Sequence, residues 1–472
     1  LHWMVHSFPT RRSSDLQRLD EIASIFSREA VLKGSFDKFA EGVKGKKGTA
    51  GVDDSFLSVI EDWRDVLAKN IALRNPQFST RDLNFAVQKT IDRIIFLRIC
   101  EDRGIELYAK LQSFLNGDRI YPRLLEYFRS ADDRYNSGLF HFRSEKGLNE
   151  EPDHLTQSMA IDDKPLKDII AGLYYPECPF EFSVLPSDIL GQVYEKFLGK
   201  VIRLTPGHQA KVEDKPEVRK AGGVYYTPTY IVEYIVENTV GKLLEGRTVD
   251  SRTPFRVLDP ACGSGSFLIV AYQKLLDWHL TKYTEGDPAK FAKGKNPRLR
   301  KGRNDEWKLT ISERKRILVE HIYGVDIDSQ AVEVTKLSLL LKVLEGENEE
   351  IFQGLLFQER ALPDLANNIK CGNSLIGSDF YKDKQADLFN EDELLRVNAF
   401  DWGNEFPFSN TSNGELALFD VVIGNPPYLG GRDWNKEKGC EYSYFIKKFS
   451  VAEYQFDMYV LFWEMATKLA TQ

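Results

Sequence analysis

Apolar residues at positions 83, 87, 91, 94 and 95 are spaced by four, four, three and one, which sets Leu83, Val87, Ile91, Ile94 and Ile95 on one face of a helix. Ser79 stands where an N-cap would, Asp82 follows three residues on, and Gly104 is placed to stop the helix. A second amphipathic helix is predicted over residues 187–198, with Ile189, Val193, Tyr194 and Phe197 inward and Gly199 as its end. Between the two, residues 132–163 are polar and irregular and predict a long loop. Residues 17–204 are therefore expected to form a mainly helical domain. Residues 205–221 are charged, punctuated by Gly and Pro and without a period, so a linker is expected there. From residue 222 to 472 the texture changes: short apolar runs at 256–258, 322–325, 369–371 and 419–423 alternate with helical stretches. That order predicts an α/β domain with a doubly wound, mostly parallel sheet.

Composition narrows the classes. With 472 residues, 42% hydrophobic and 12% aromatic, the chain can bury ample core in two or more domains. It has no apolar run of membrane-spanning length and no signal-peptide pattern at its start, so a cytoplasmic protein is expected. Cys100, Cys178, Cys262, Cys371 and Cys440 are scattered, without a CxxC pair or a neighbouring His at ligand spacing; reduced thiols and no structural metal are expected. A net charge of −8 excludes a protein that coats nucleic acid indiscriminately. One local segment, residues 282–303, runs the other way: Lys282, Lys290, Lys293, Lys295, Arg298, Arg300, Lys301 and Arg303 outweigh Glu285 and Asp287. A solvated insertion and a surface for DNA phosphates are both open readings of it. Residues 1–16 stand apart, because the run from His6 to Leu16 reads as a translated sequencing adaptor and is expected to be an artefact.

The strand at 257–259 runs into Asp259-Pro260-Ala261-Cys262-Gly263-Ser264-Gly265, then an apolar helix. In a strand, turn and helix unit, Gly263 and Gly265 remove side chains that would keep a ligand from the backbone. The third glycine of a dinucleotide fingerprint is replaced by Leu268, so a different ligand is expected. Asp326, at the tip of the next strand, is placed to accept both ribose hydroxyls of an adenosine-containing ligand, while Asp328 is placed to cap the following helix. Asn373 ends the third strand; it either meets the adenine edge or stabilises its own turn.

The fourth strand delivers Asn425, Pro426, Pro427 and Tyr428. At average residue frequencies such a run arises by chance in about one chain in a few hundred of this length, which favours a functional origin. An aromatic amine is a poor nucleophile because its lone pair is delocalised into the ring. Hydrogen bonds from both amine hydrogens, to the Asn425 side-chain oxygen and the Pro426 carbonyl, would favour a tetrahedral nitrogen and aim the lone pair at a methyl donor. The prolines hold those acceptors without competing N–H groups, and Tyr428 offers a flat face for an extruded base.

The ordered set closely resembles the S-adenosylmethionine-dependent DNA adenine methyltransferases whose cofactor motif precedes the acceptor motif. Within that group it is most similar to large bifunctional restriction-modification enzymes. The resemblance implies a Rossmann-like methyltransferase core behind a helical connector, double-stranded DNA as partner with its target adenine flipped out, and S-adenosyl-L-methionine as cofactor. Residues 222–228, which contain Tyr226 and Thr227, look like that family's motif ahead of the cofactor strand. By resemblance, Tyr226 and Thr227 would hold the methionine end of the cofactor together with Asp259, Ala261, Gly263 and Gly265. Asp326 would take the ribose and Asn373 the adenine. No PD-(D/E)xK constellation is found, and only 44 residues follow Tyr428, so a fragment cut at both ends is expected, with the closing strands and the DNA-reading domain outside it. Methylation of cytosine amine, a protein-glutamine methyltransferase, and a non-catalytic DNA- or cofactor-binding remnant are the alternatives.

Overall fold

The computed structural model describes residues 52–135, 138–143, 152–175, 177–178, 182, 199–215, 227–249, 254–302, 305–346, 362–381, 396–406, 408, 419–428, 439–453 and 456–470. The adaptor-like start, the helix expected at 187–198, and Tyr226 lie outside them. Asp53–Gln472 forms one compact unit. No helix among the described residues is long and apolar enough to cross a membrane.

The first half is helical: α1 (Val52–Arg74), α2 (Thr80–Asp102), α3 (Ile120–Tyr135) and α4 (Asp163–Ala171). The start of α2 is closed by a capping box, in which the Ser79 hydroxyl accepts from the Asp82 N–H at 3.1 Å and the Asp82 carboxylate accepts from the Ser79 N–H at 2.9 Å. Its apolar stripe is as expected, yet the opposite face is not solvated, for over 83–101 only Phe85 escapes full burial. Neighbouring elements surround the helix, and its polar residues are paired instead of hydrated. Arg93 meets Asp153 at 2.7 Å, Arg98 pairs with Asp102, and Tyr174 donates to Glu101 at 2.6 Å. The loop expected at 132–163 is interrupted by a 3₁₀ turn, Gly138–Phe140, and a short helix, Leu155–Ser158, the latter secured by Asp153.

The expected linker is corrected over its first half. Strands β1 (Lys200–Leu204) and β2 (Ala210–Asp214) form an antiparallel hairpin. The Asn84 amide on α2 satisfies the hairpin's edge, donating to the Ile202 carbonyl at 2.7 Å and accepting its N–H at 3.0 Å. A side-chain amide standing in for a strand is invisible to any count of local propensity.

Beyond this come α5 (Thr229–Val236), β3 (Val257–Asp259), α6 (Ser266–Thr284), the hairpin β4 (Leu299–Lys301) and β5 (Trp307–Leu309), α7 (Ile311–His321), β6 (Ile322–Asp326), α8 (Ser329–Val343), β7 (Ile369–Cys371), β8 (Val421–Val422), α9 (Gly439–Lys448) and α10 (Met458–Leu469). The sheet is parallel throughout, in the order β7-β6-β3-β8. Strand order reverses at β3, whose two neighbours come from opposite directions of winding. Alternate residues serve opposite faces: Val257 and Ile322 join the core shared with the helical half, whereas Leu258 and Tyr323 join an aromatic core with Phe400, Phe406 and Phe419. At the far edge Phe419 forms a parallel bridge with Ala470, which follows α10.

The helical half is tied to α8. Lys89 pairs with Glu333, the Arg103 guanidinium donates to the Leu341 carbonyl at 2.9 Å, and Gln330 donates to Asn84 at 3.2 Å. Burial would raise the Glu333 carboxyl, but Lys89 and Lys336 hold it down at about 2.

Two buried histidines face each other between α6 and the end of α7. The rings of His279 and His321 are 5.3 Å apart, and each ring is hydrogen-bonded to a carbonyl, of Leu275 and Phe255 respectively. Burial pushes their pKa values down to about 3 and about 4. The unfolded chain therefore binds more protons than the folded one between about pH 6.5 and pH 4, and stability falls as pH drops through that window. Asp326, raised by burial to about 6, and Glu101, also raised by burial, act in the opposite sense and offset part of that fall. The urea midpoint is expected to be lower at pH 5 than at pH 7, and His279→Phe to flatten that slope; an unchanged slope in the variant would contradict the assignment.

Candidate cofactor turn and acceptor site

Strand β3 ends at Asp259 and the chain turns through Gly263 and Gly265 into α6, with Gly263 at φ +53° and Gly265 at φ +84°. The two glycines serve different ends. A Cβ on Gly263 would meet nothing within 4 Å, so that side of the turn is open. A Cβ on Gly265 would lie 2.8 Å from Thr335 Cγ2 on α8, so this glycine admits a protein neighbour, not the ligand expected from its spacing. Thr335 also donates from its hydroxyl to the Gly263 carbonyl at 2.8 Å.

Asp326 closes the other side of the turn. Its carboxylate accepts from the Gly263 N–H at 2.8 Å and the Asp328 N–H at 2.9 Å, and burial pushes its pKa up to about 6. Each oxygen keeps a lone pair for a further donor. Asp328 caps α8, accepting from the Gln330 N–H at 3.0 Å, and also pairs with Lys215 at the end of the hairpin. Ile327, between the two acids, is 51% exposed. An open glycine, a carboxylate with spare acceptor capacity and an exposed apolar side chain together suit a nucleoside: hydroxyls for the acid and a flat base for the isoleucine. Asn373 is buried, and its side-chain oxygen accepts from the Leu375 N–H at 3.1 Å, which is the turn-stabilising arrangement.

The acceptor segment emerges from β8 beside this turn. Gly424 is required by proximity, since a Cβ there would lie 2.4 Å from the Asp259 carboxylate. The Asn425 amide donates to the Thr227 hydroxyl at 3.1 Å, bringing together two motifs 198 residues apart. Tyr428 is 61% exposed. A cavity of 430 Å³ is lined by Asp259, Pro260, Ala261, Pro426 and Tyr428 on one side and by Tyr459, Phe462 and Trp463 of α10 on the other. The Tyr459 ring stands 5.7 Å from that of Tyr428 at an interplanar angle of 44°. The helical spacing of Tyr459 and Trp463, four apart, carried the signal that they share a face. What face that was depended on the pairing of Phe419 with Ala470.

The basic segment lies elsewhere. It follows the C-terminal end of α6, about 28 Å along a 19-residue helix from the cofactor turn. Lys290, Lys293 and Lys295 are exposed, whereas Arg298 lies over the rings of Tyr283 and Phe291.

A parallel sheet reversing at β3, a glycine turn after that strand and an acid at the tip of the next define a Rossmann-like methyltransferase domain. A model of the Eco57I restriction-modification methylase family matches residues 320–472. It is 34% identical over 454 residues, 96% of this chain, to the type II restriction enzyme and methyltransferase RM.Eco57I of Escherichia coli, and spans 41% of that relative's length. To the adenine-specific methyltransferase PglX of Streptomyces coelicolor it is 24% identical over 223 residues, 46% of this chain and 15% of the relative. Among solved structures, the type IIL restriction-modification enzyme MmeI in complex with DNA aligns over 87% of this chain and 48% of its own, with a TM-score of 0.45 and 14% identity.

Gly265→Ala is expected to cost about 1–3 kcal/mol, from left-handed backbone and the collision with Thr335. Adding Thr335→Ser, which removes Cγ2 and keeps the hydroxyl, should recover part of the loss. Chemical denaturation of both variants checks this, and a Gly265→Ala protein as stable as the parent would contradict the packing role.

Proposed function

We propose that this chain is the catalytic part of an enzyme of a restriction-modification system that transfers a methyl group from S-adenosylmethionine to the N6 amine of adenine in duplex DNA. The observation that carries the reading is the placement of Pro426 and Tyr428, of the acceptor segment, against an aromatic-walled cavity whose other lining includes the end of the cofactor strand. The curated relatives named as adenine-specific methyltransferases favour adenine over cytosine and DNA over a protein glutamine.

When bound, S-adenosylmethionine supplies a methyl group already activated on a sulfonium, so no general base is needed before attack. The chain's residues then have three tasks. Asp326 accepts the ribose hydroxyls, with Gly263 leaving room for the ligand against the backbone and Asp259, Ala261, Tyr226 and Thr227 toward the methionine end. Asn425 and the Pro426 carbonyl accept the two hydrogens of the target amine and turn its lone pair out of the ring. Tyr428 stacks on the base, which must leave the duplex because a paired adenine hides its amine. The basic segment at 282–303 carries none of these three tasks, since it sits at the far end of α6; a solvated lobe and a surface for duplex phosphates both remain open to it.

Labelled methyl transfer from S-adenosylmethionine is expected with duplex DNA and not with a glutamine-bearing peptide. Asn425→Ala is expected to lower transfer by about a hundredfold or more while leaving cofactor binding largely intact; transfer at the parent rate would remove Asn425 from the reaction. A second expectation follows from Asp326. Hydroxyl donors favour the ionised carboxylate, so with a pKa of about 6 cofactor affinity should weaken as pH falls from 7 to 5, by up to about tenfold per unit below 6. Calorimetry at several pH values reads this directly. Asp326→Asn should abolish the dependence, and a dependence that persists would assign it to another group.

A further inference from the structure

We infer that Thr227 is the positioning residue for the Asn425 amide, anchoring it in the arrangement that leaves its carbonyl oxygen for the target amine; the inference rests on the function proposed above. An amide is planar, with a donor on one arm and an acceptor on the other. Only the acceptor arm can receive the amine's hydrogens, and a reversed amide would set N–H against N–H. The Asn425 nitrogen donates to the Thr227 hydroxyl at 3.1 Å, so in this arrangement the donor arm is occupied and the carbonyl oxygen is left for substrate.

Both partners are held for this contact. Each directly precedes a proline, Thr227 before Pro228 and Asn425 before Pro426, and a following proline confines the backbone of the residue ahead of it to extended conformations. Pro228 in turn stands at the start of α5, which packs on α6 through the buried Val232 and Val236 and is followed by an ion pair from Glu237 to Lys274 at 2.5 Å. Asn425 is fixed from its other side by Gly424, pressed against Asp259. The hydrogen bond is thus made between two restrained backbones, and little freedom remains to be lost when it forms. The hydroxyl of Thr227 thereby acts on the reaction through Asn425, a role separate from the cofactor contact that family resemblance implies for it.

The test compares Thr227→Val, which keeps the shape and removes the hydroxyl, with Thr227→Ser, which keeps the hydroxyl. It uses the intact enzyme with duplex DNA, reading kcat, KM for DNA, and the Kd for S-adenosylmethionine by calorimetry. Expected for valine is a fall in kcat, read at saturating S-adenosylmethionine, of about tenfold to a hundredfold, with KM for DNA within about threefold of the parent whatever the change in the cofactor Kd. Serine should return kcat to within about threefold of the parent. Thr227→Ala, a second hydroxyl-free variant, carries the same expectation as valine and decides the matter if the valine protein does not fold. Parent-like kcat in the hydroxyl-free variants overturns the inference. So does a loss confined to the cofactor Kd, or a serine variant as slow as valine. Asn425→Ala, run alongside, separates the two levels: if it transfers methyl at the parent rate, the proposed function of the acceptor segment fails first, and if it is inactive while Thr227→Val is normal, only the positioning role fails.

Discussion

Strand β3 is three residues long and is paired on both sides by strands that run parallel to it. From that constraint most of the site follows. Parallel neighbours end on the same side, so the tips of β3, β6 and β8 deliver Asp259, Asp326 and the acceptor segment to one edge of the sheet. Reversal of strand order at β3 opens a crevice there, because the helices leaving its two neighbours pack on opposite faces. Gly424 then allows the acceptor strand to lie against the Asp259 carboxylate, and Asp326 reaches across to hold the Gly263 N–H. The turn and the acceptor are parts of a single edge.

The helical half supports that edge through polar contacts. Asn84 on α2 satisfies the hairpin at Ile202 and receives Gln330 from α8, while Lys215 at the hairpin's end pairs with Asp328, the cap of the same helix. Helix α8 carries Thr335, which packs into the cofactor turn beneath Gly265. A path of packed and hydrogen-bonded groups thus joins the connector helix to the turn. Buried pairs such as Lys89 with Glu333 are weak contributors to stability compared with apolar packing, but removing one partner leaves an uncompensated charge, so they fix register between the two halves.

Much of this was legible in the sequence where one signal acts locally. The Ser79 capping box, the apolar stripe of α2, the four parallel strands and the capping role of Asp328 were read from spacing and residue type. The misreadings share a cause in contacts made at long range. The burial of the polar face of α2 was not legible, because nothing in its own period reveals Asp153, Tyr174 or Glu333 as partners. The hairpin falls partly in the expected helical domain, at 200–204, and partly in the expected linker, at 205–214, and its edge is completed by an amide more than 100 residues earlier. Gly265 looks like a ligand-facing glycine, but the atom it avoids belongs to Thr335. Asn373 left two readings open, and its oxygen turns inward to Leu375. Tyr459 and Trp463 share a helix face by spacing, yet only the return of Ala470 to the sheet edge puts that face against Tyr428.

The chemistry proposed for this edge requires an amine presented to two acceptors and an aromatic face, and Pro426 and Tyr428 of the acceptor segment line a cavity of 430 Å³. Adenine in DNA is the substrate proposed for it. The most direct measurement is the identity of the product. Duplex DNA is incubated with the protein and methyl-labelled S-adenosylmethionine, digested to nucleosides and separated by mass. The account predicts label in N6-methyladenine, whereas label in N4-methylcytosine alone, or in protein glutamine with none in DNA, would contradict it.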